Sequence, residues 1–138
     1  MGYTHYFPHK CSFTVQQWQV IKTMFLSVYK KYGELISYES EDPRPPVGDD
    51  KMIRFNQKYD GHETFLLTRD QLARFSFCKT ARKDYDIVVA LVLLSCHMHA
   101  PNVLEISSDG DWDDDTWPDA RQAYMELFNE ESTCPWLA

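Results

Sequence analysis

Eight consecutive apolar residues, Ile87 to Leu94 (IVVALVLL), constrain this chain more than any other stretch. A segment that is apolar on every side must be enclosed on every side, so the remaining elements have to wrap around it. It is far too short to cross a bilayer, which takes about 20 residues. Its length argues for a helix, although the β-branched pair Val88-Val89 leaves a buried strand open. Asp84 or Asp86 is placed to cap it, and Pro101 stops it. A cationic stretch precedes it and an acidic turn, Ser107 to Trp112, follows it.

A chain of 138 residues is expected to form one domain with a hydrophobic core that needs no staples. The net charge of −7 makes nucleic acid a poor partner, because affinity for phosphates comes from Lys and Arg displacing counterions. An anionic membrane surface is disfavoured for the same reason. No apolar leader opens the chain, which points to the cytoplasm. Cys11, Cys78, Cys96 and Cys134 show no CxxC spacing and are expected as free thiols. Aromatic residues make up 14%, a surplus that fits either an aromatic core or an aromatic binding surface.

Gly2–Phe7 reads as a strand with Tyr3, His5 and Phe7 on one face and Thr4 and Tyr6 on the other. Thr14 with Gln17 forms a capping box. Trp18, Ile21, Phe25, Val28 and Tyr32 then recur at helical spacing, and Gly33 stands just past the end. Leu35–Tyr38 is a short strand candidate, and residues 39–50 read as a proline-rich acidic loop. Strands are expected over 51–57 and 63–69, joined through the hairpin signal Asp60-Gly61. Thr68 and Gln71 suggest a cap for a short helix over 70–75. Val103–Ser107 is expected as a central strand. Thr116 is placed to cap a last helix whose inward stripe is Trp117, Ala120, Tyr124, Leu127 and Phe128. The fold class is α+β: a mostly antiparallel sheet of four to five strands with two to three helices packed on it.

The opening MGYTHYF, the stretch FCKTARKDYDIVV and the stretch SSDGDW followed by a helix together resemble a small family of bacteriophage and bacterial proteins with no established activity. The resemblance covers most of the chain, least so the proline-rich loop. It implies a phage or prophage setting, hence a host cytoplasm, and little chemistry. Phe7 stands where the family pattern has Trp, and Asp84 where it has Pro.

Four candidate sites emerge from the residues. Phe77, Cys78, Lys79, Thr80, Arg82, Lys83, Tyr85 and Asp86 combine cations, a hydroxyl and rings at a helix start, which suits a phosphorylated ligand; a solvated basic loop is the plainer alternative. There is no glycine-rich phosphate loop. Asp109, Asp111, Asp113 and Asp115 alternate like a calcium loop. Asp114 falls where glycine is needed and Ala120 where the bidentate Glu belongs, so the pattern fails. His5, His9, Cys11, Cys96, His97 and His99 match no zinc spacing. Cys78 near Lys79 and Arg82 would be a lowered-pKa nucleophile with His5 or His97 as base, or simply a buried hydrophobe.

No catalytic, metal or cofactor residue is assigned. The leading expectation is a non-enzymatic binding protein for a small anionic, nucleotide-like metabolite. Its site would combine Tyr3, His5 and Tyr6 with Phe77, Cys78, Lys79, Thr80, Arg82 and Tyr85, and with Asp109 and Trp112. In a phage setting such binding would sequester a host defence signal. The alternatives are an acidic module that docks on a basic host protein, and a Cys- or carboxylate-dependent hydrolase.

Overall fold

The computed structural model of the protein describes residues 3–72 and 76–136. Seven short strands and three helices follow in the order β1 (Thr4–Tyr6), α1 (Val15–Tyr32), β2 (Ile36–Ser37), β3 (Val47–Gly48), β4 (Met52–Gln57), β5 (Phe65–Thr68), β6 (Phe77–Lys79), α2 (Asp86–His99), β7 (Ser107–Ser108) and α3 (Trp117–Phe128). The fold is α+β, and every strand pairing described is antiparallel. The strands form two sheets rather than one: β6-β1-β7, and a second in which β4 pairs with β2, β3 and β5.

The apolar segment is a helix, and it is swallowed as its composition demands. Every residue from Val88 to Cys96 is buried. Helix α2 packs against both α1 and α3. Each fully buried Val or Leu contributes about 1.5–3 kcal/mol, so this helix is a large source of cohesion. A charge introduced at Leu91 or Leu93 would have no partner there.

Helix α1 starts where its capping box predicts. Gln17 N–H donates to Thr14 Oγ1 at 3.0 Å and Thr14 N–H to Gln17 Oε1 at 2.9 Å. Its buried stripe is Trp18, Ile21, Met24, Phe25 and Val28. Gly33 ends the helix in right-handed geometry, with φ −61°, not in a left-handed cap. Residues 39–50 are not all loop. Gly48 in β3 lies so close to Phe25 that an added Cβ would fall 2.8 Å from the ring, so the absent side chain lets this strand lie on α1. The Trp18 indole N–H donates to the Asp49 carbonyl at 2.8 Å and pins the same segment.

The expected hairpin is present, but its connection runs over residues 58–64, with Asp60 rather than Gly61 at positive φ. Asn56 is buried because its amide donates to the His62 carbonyl at 2.9 Å and to Thr64 Oγ1 at 3.1 Å, which holds that loop. Residues 70–72 form no helix, and 73–75 of the expected short helix lie outside the described residues. Thr68 Oγ1 donates instead to the Asp70 carbonyl, and Gln71 N–H is taken by Ser12 Oγ.

The larger differences lie around β1. Residues 77–79, read as loop, are strand β6. Val103–Ser107 is not a central strand: Leu104 makes a single bridge with His9, and pairing resumes only at Ser107–Ser108, on the sheet edge. The central strand is β1, paired along both its edges; Thr4 is buried as well as Tyr3, His5 and Phe7. In α3 the buried stripe is Trp117, Ala120, Ala123 and Tyr124, with Leu127 and Phe128 half-buried.

Candidate functional site: a cleft at the starts of two helices

Three stretches distant in the chain meet on β1. Thr4, His5 and Tyr6 face Lys79, Cys78 and Phe77 on one edge, and His5 and Tyr6 face Ser108 and Ser107 on the other. The aromatic opening, the cationic stretch and the acidic turn therefore share one small sheet. Just ahead of β1, the Tyr3 carbonyl accepts two N–H groups, from Thr80 at 3.0 Å and Ala81 at 3.3 Å. These two hydrogen bonds hold a tight reversal in which Ala81 and Arg82 both have positive φ, 53° and 58°. For non-glycine residues that conformation costs about 1–2 kcal/mol each.

The reversal swings the Arg82 guanidinium over the Tyr3 ring, 4.3 Å from its centroid. Arg82 Nη2 also reaches Asp115 Oδ1 at 3.4 Å, and Asp115 is itself at positive φ, 59°. Behind this pair opens a cleft of about 340 Å³. Tyr3, Arg82 and Lys83 form one wall. Asp84, Asp86 and Ile87 bring the start of α2 to it, and Asp115, Thr116 and Asp119 the start of α3. Tyr85 and Thr116 occupy the N-cap positions, and neither makes a side-chain cap hydrogen bond. Few first-turn donors are open, however: the Asp86 and Val88 N–H groups are taken by the Lys83 and Tyr85 carbonyls, and Pro118 in α3 has no N–H. Neither Asp84 nor Asp86 caps α2; Asp86 is its first residue.

Behind the cleft runs a buried hydrogen-bond chain. Asp86 Oδ1 accepts from Thr80 Oγ1 at 2.6 Å and lies 2.6 Å from His5 Nε2. His5 Nδ1 lies 2.8 Å from Ser108 Oγ. Ser108 Oγ also accepts from the Trp117 indole N–H at 3.1 Å and from Gly110 N–H at 2.9 Å. With both its lone pairs taken, the serine hydroxyl gives its proton to Nδ1, and Nε2–H donates to Asp86. The order Ser108, His5, Asp86 is that of a nucleophile triad. Its oxygen is occupied by two donors, however, and the cleft meets the chain at the Asp86 end. The chain acts as a clasp joining β7, β1 and α2.

Burial raises the Tyr3 phenol to about 12, helped by the Asp86 and Asp115 carboxylates, so it stays protonated. Its hydroxyl lies beside Ser108 and the Thr116 backbone without a well-formed hydrogen bond.

Of the residues expected at the site, Tyr3 and Arg82 line the cleft, while His5 and Thr80 support it from behind through Asp86. The others do other work. Cys78 is fully buried; burial raises its thiol to about 12, and Sγ points to the Glu63 carbonyl at 3.5 Å. Burial thus opposes a lowered thiolate, although His5 is its register partner. The Tyr85 hydroxyl donates to the same carbonyl, and its N–H donates to Gln57 Oε1. Lys79 N–H is held by Glu63 Oε1 at 2.7 Å. Tyr6 is half-buried and Phe77 half-exposed on the same sheet. Asp109 caps the Thr4 N–H at 3.1 Å. Trp112 packs against Trp117 and Trp136 with Arg121 4.5 Å over its ring, away from the cleft.

The alternating carboxylates diverge: Asp109 goes to Thr4, Asp113 to Arg121 and Asp115 to Arg82, so no calcium cage forms. The His and Cys set is scattered too. His9 holds the Thr68 carbonyl, Cys11 the Asn102 carbonyl, His97 pairs with Thr133 and His99 with Glu130, while Cys96 is in the core. Among the described residues no group of three or more His, Cys, Asp or Glu is disposed to hold a metal. Asp84, Ile87, Thr116 and Asp119 were not readable as cleft residues. The short-range signal was only that Asp84 and Thr116 flank helix starts.

Comparison of the chain with known protein families, characterised proteins and solved structures finds no match.

Proposed function

We propose that this chain is a non-enzymatic binding protein whose cleft holds a small, nucleotide-like ligand. The anionic group of the ligand is taken by Arg82 and Lys83. The observation that carries this reading is the Arg82 guanidinium, stacked on Tyr3 and held by a strained reversal at the mouth of a cleft. Strained non-glycine backbone concentrates at ligand clamps. The cleft is within the size range of small-molecule sites. The Arg82–Asp115 pair is exposed and loose enough to open for a ligand at little cost. In the phage setting implied by the sequence resemblance, holding a nucleotide without transforming it would remove a host signal.

The test is calorimetry and thermal shift against a panel of nucleoside mono- and diphosphates. Arg82→Ala is expected to weaken the best binder by about tenfold or more, the size of a lost charge-assisted hydrogen bond. No binder in the panel, or one indifferent to Arg82→Ala and Lys83→Ala, would sink the reading. Docking on a basic host protein is the second reading, favoured by exposed Asp111, Asp113 and Asp114. It calls for capture that weakens steeply with salt and is lost when those three are neutralised.

A further inference from the structure

The charge around the cleft does not suit a purely anionic ligand. Four carboxylates, Asp84, Asp86, Asp115 and Asp119, line it against two cations. Both cations already have partners, Arg82 in Asp115 and Lys83 in Asp60 at 3.2 Å. A ligand that brings only negative charge meets a surplus of its own sign.

Asp86 is the informative carboxylate. It is 4% exposed, yet it lines the cleft. Its Oδ1 is committed twice, to His5 and to Thr80. Its Oδ2 receives no hydrogen bond among the described residues. Unlike Oδ1, that oxygen is not enclosed: it is the part of the Asp86 carboxylate left open, where Asp86 lines the cleft, so it can accept a hydrogen bond from an occupant. The oxygen cannot easily turn away, because Oδ1 is fixed from behind by two short bonds.

We infer that the cleft reads the far end of its ligand through Asp86 Oδ2, and that this end is an N–H donor: an amine, or the amino edge of a substituted heterocycle. The ligand is then amphoteric, with an anionic group toward Arg82 and Lys83 and an amino group toward Asp86. Asp84 and Asp119 at the rim favour the same donor character. This rests on the binding reading above and specifies which members of its ligand class are accepted.

The substitution that isolates the effect is Asp86→Asn. The amide keeps an oxygen for His5 and Thr80 and replaces the cleft-facing acceptor by a donor. The probes are adenosine monophosphate and the analogue with hydrogen in place of its exocyclic amine, each titrated calorimetrically into wild type, Asp86→Asn and Arg82→Ala. Wild type is expected to prefer the amino compound by about tenfold or more. That preference should collapse in Asp86→Asn, whereas Arg82→Ala weakens both probes alike. Equal binding of both probes by wild type would overturn this inference and leave the binding reading standing, as would a preference that survives in Asp86→Asn. Failure of both probes to bind wild type would count against both readings. The probe comparison in wild type needs no variant, so it decides the matter even if Asp86→Asn does not fold.

Discussion

The Tyr3 hydroxyl fills the space where a side chain at Gly110 would begin. A Cβ built on Gly110 would fall 2.8 Å from Tyr3 Cζ and 3.1 Å from Cε1, on a ring that is 1% exposed and cannot swing away. The acidic turn therefore closes over β1 only because residue 110 has no side chain. That closure places Gly110 N–H on Ser108 Oγ.

Gly110→Ala should accordingly destabilise the fold by about 1–3 kcal/mol through overpacking. Tyr3→Phe should cost little, because the hydroxyl it removes has no well-formed hydrogen bond. The double variant should recover part of the alanine penalty. Urea unfolding of the four proteins measures the coupling. Strictly additive effects would mean that the turn has room to move off the ring.

The thiols should separate sharply. Burial pushes Cys78 up to about 12 and raises Cys96 as well, whereas Cys11 is exposed. In native protein at mildly alkaline pH, a disulfide reagent should label Cys11 rapidly and reach Cys78 and Cys96 only after unfolding. Rapid native labelling of Cys78 would revive the nucleophile reading that its burial opposes.

How much of this was legible beforehand depends on how local each signal is. The α1 start needs only Thr14 and Gln17, three residues apart, and the enclosure of α2 follows from its composition. Strands β6 and β7 were missed because they are three and two residues long. Their extended backbone is imposed by pairing with β1, which no local pattern encodes. Val103–Ser107 has strand-like residues, but only Leu104 and then Ser107–Ser108 meet a partner, so propensity lost to tertiary geometry. The convergence of aromatic, cationic and acidic stretches was anticipated. The members of the cleft were anticipated only in part: Tyr3 and Arg82 were expected there, but the Phe77–Lys79 side of the cationic stretch is strand and only Arg82 and Lys83 of it reach the opening. His5 and Ser108 are separated by 103 positions, and nothing in either neighbourhood announces their bond.

Histidine burial gives stability a pH slope. Desolvation holds His9 below its usual range, outweighing the Thr68 carbonyl and Asp70; His97 is lowered by burial too. The unfolded chain then binds a proton more readily than the folded one, so stability rises with pH in the window below the unfolded value. The contribution is complete above about pH 6.5 and is lost as pH falls below it. The urea midpoint should therefore drop between about pH 7 and pH 5.5. His9→Gln, whose amide can still donate to the Thr68 carbonyl, should flatten part of that drop. An identical slope in the variant would show that His9 is not a source of it.

Relieving the reversal at the cleft mouth should separate stability from binding. Ala81 has φ 53° and is followed by Arg82 at 58°, and both are held there by the bonds to the Tyr3 carbonyl and by the stack on the Tyr3 ring. Glycine adopts that region without the Cβ penalty of about 1–2 kcal/mol, and loses about 0.5–1 kcal/mol of that gain to greater freedom when unfolded. Ala81→Gly should thus leave the fold equally stable or up to about 1 kcal/mol more stable, where an ordinary alanine-to-glycine change costs that much. Ligand affinity should move the other way, because a looser reversal no longer fixes the guanidinium over the ring before binding. Thermal unfolding and calorimetry on one preparation give both numbers. A marked loss of stability in Ala81→Gly would show that the left-handed pair carries no strain, and the case for Arg82 as a clamp would lose its backbone half.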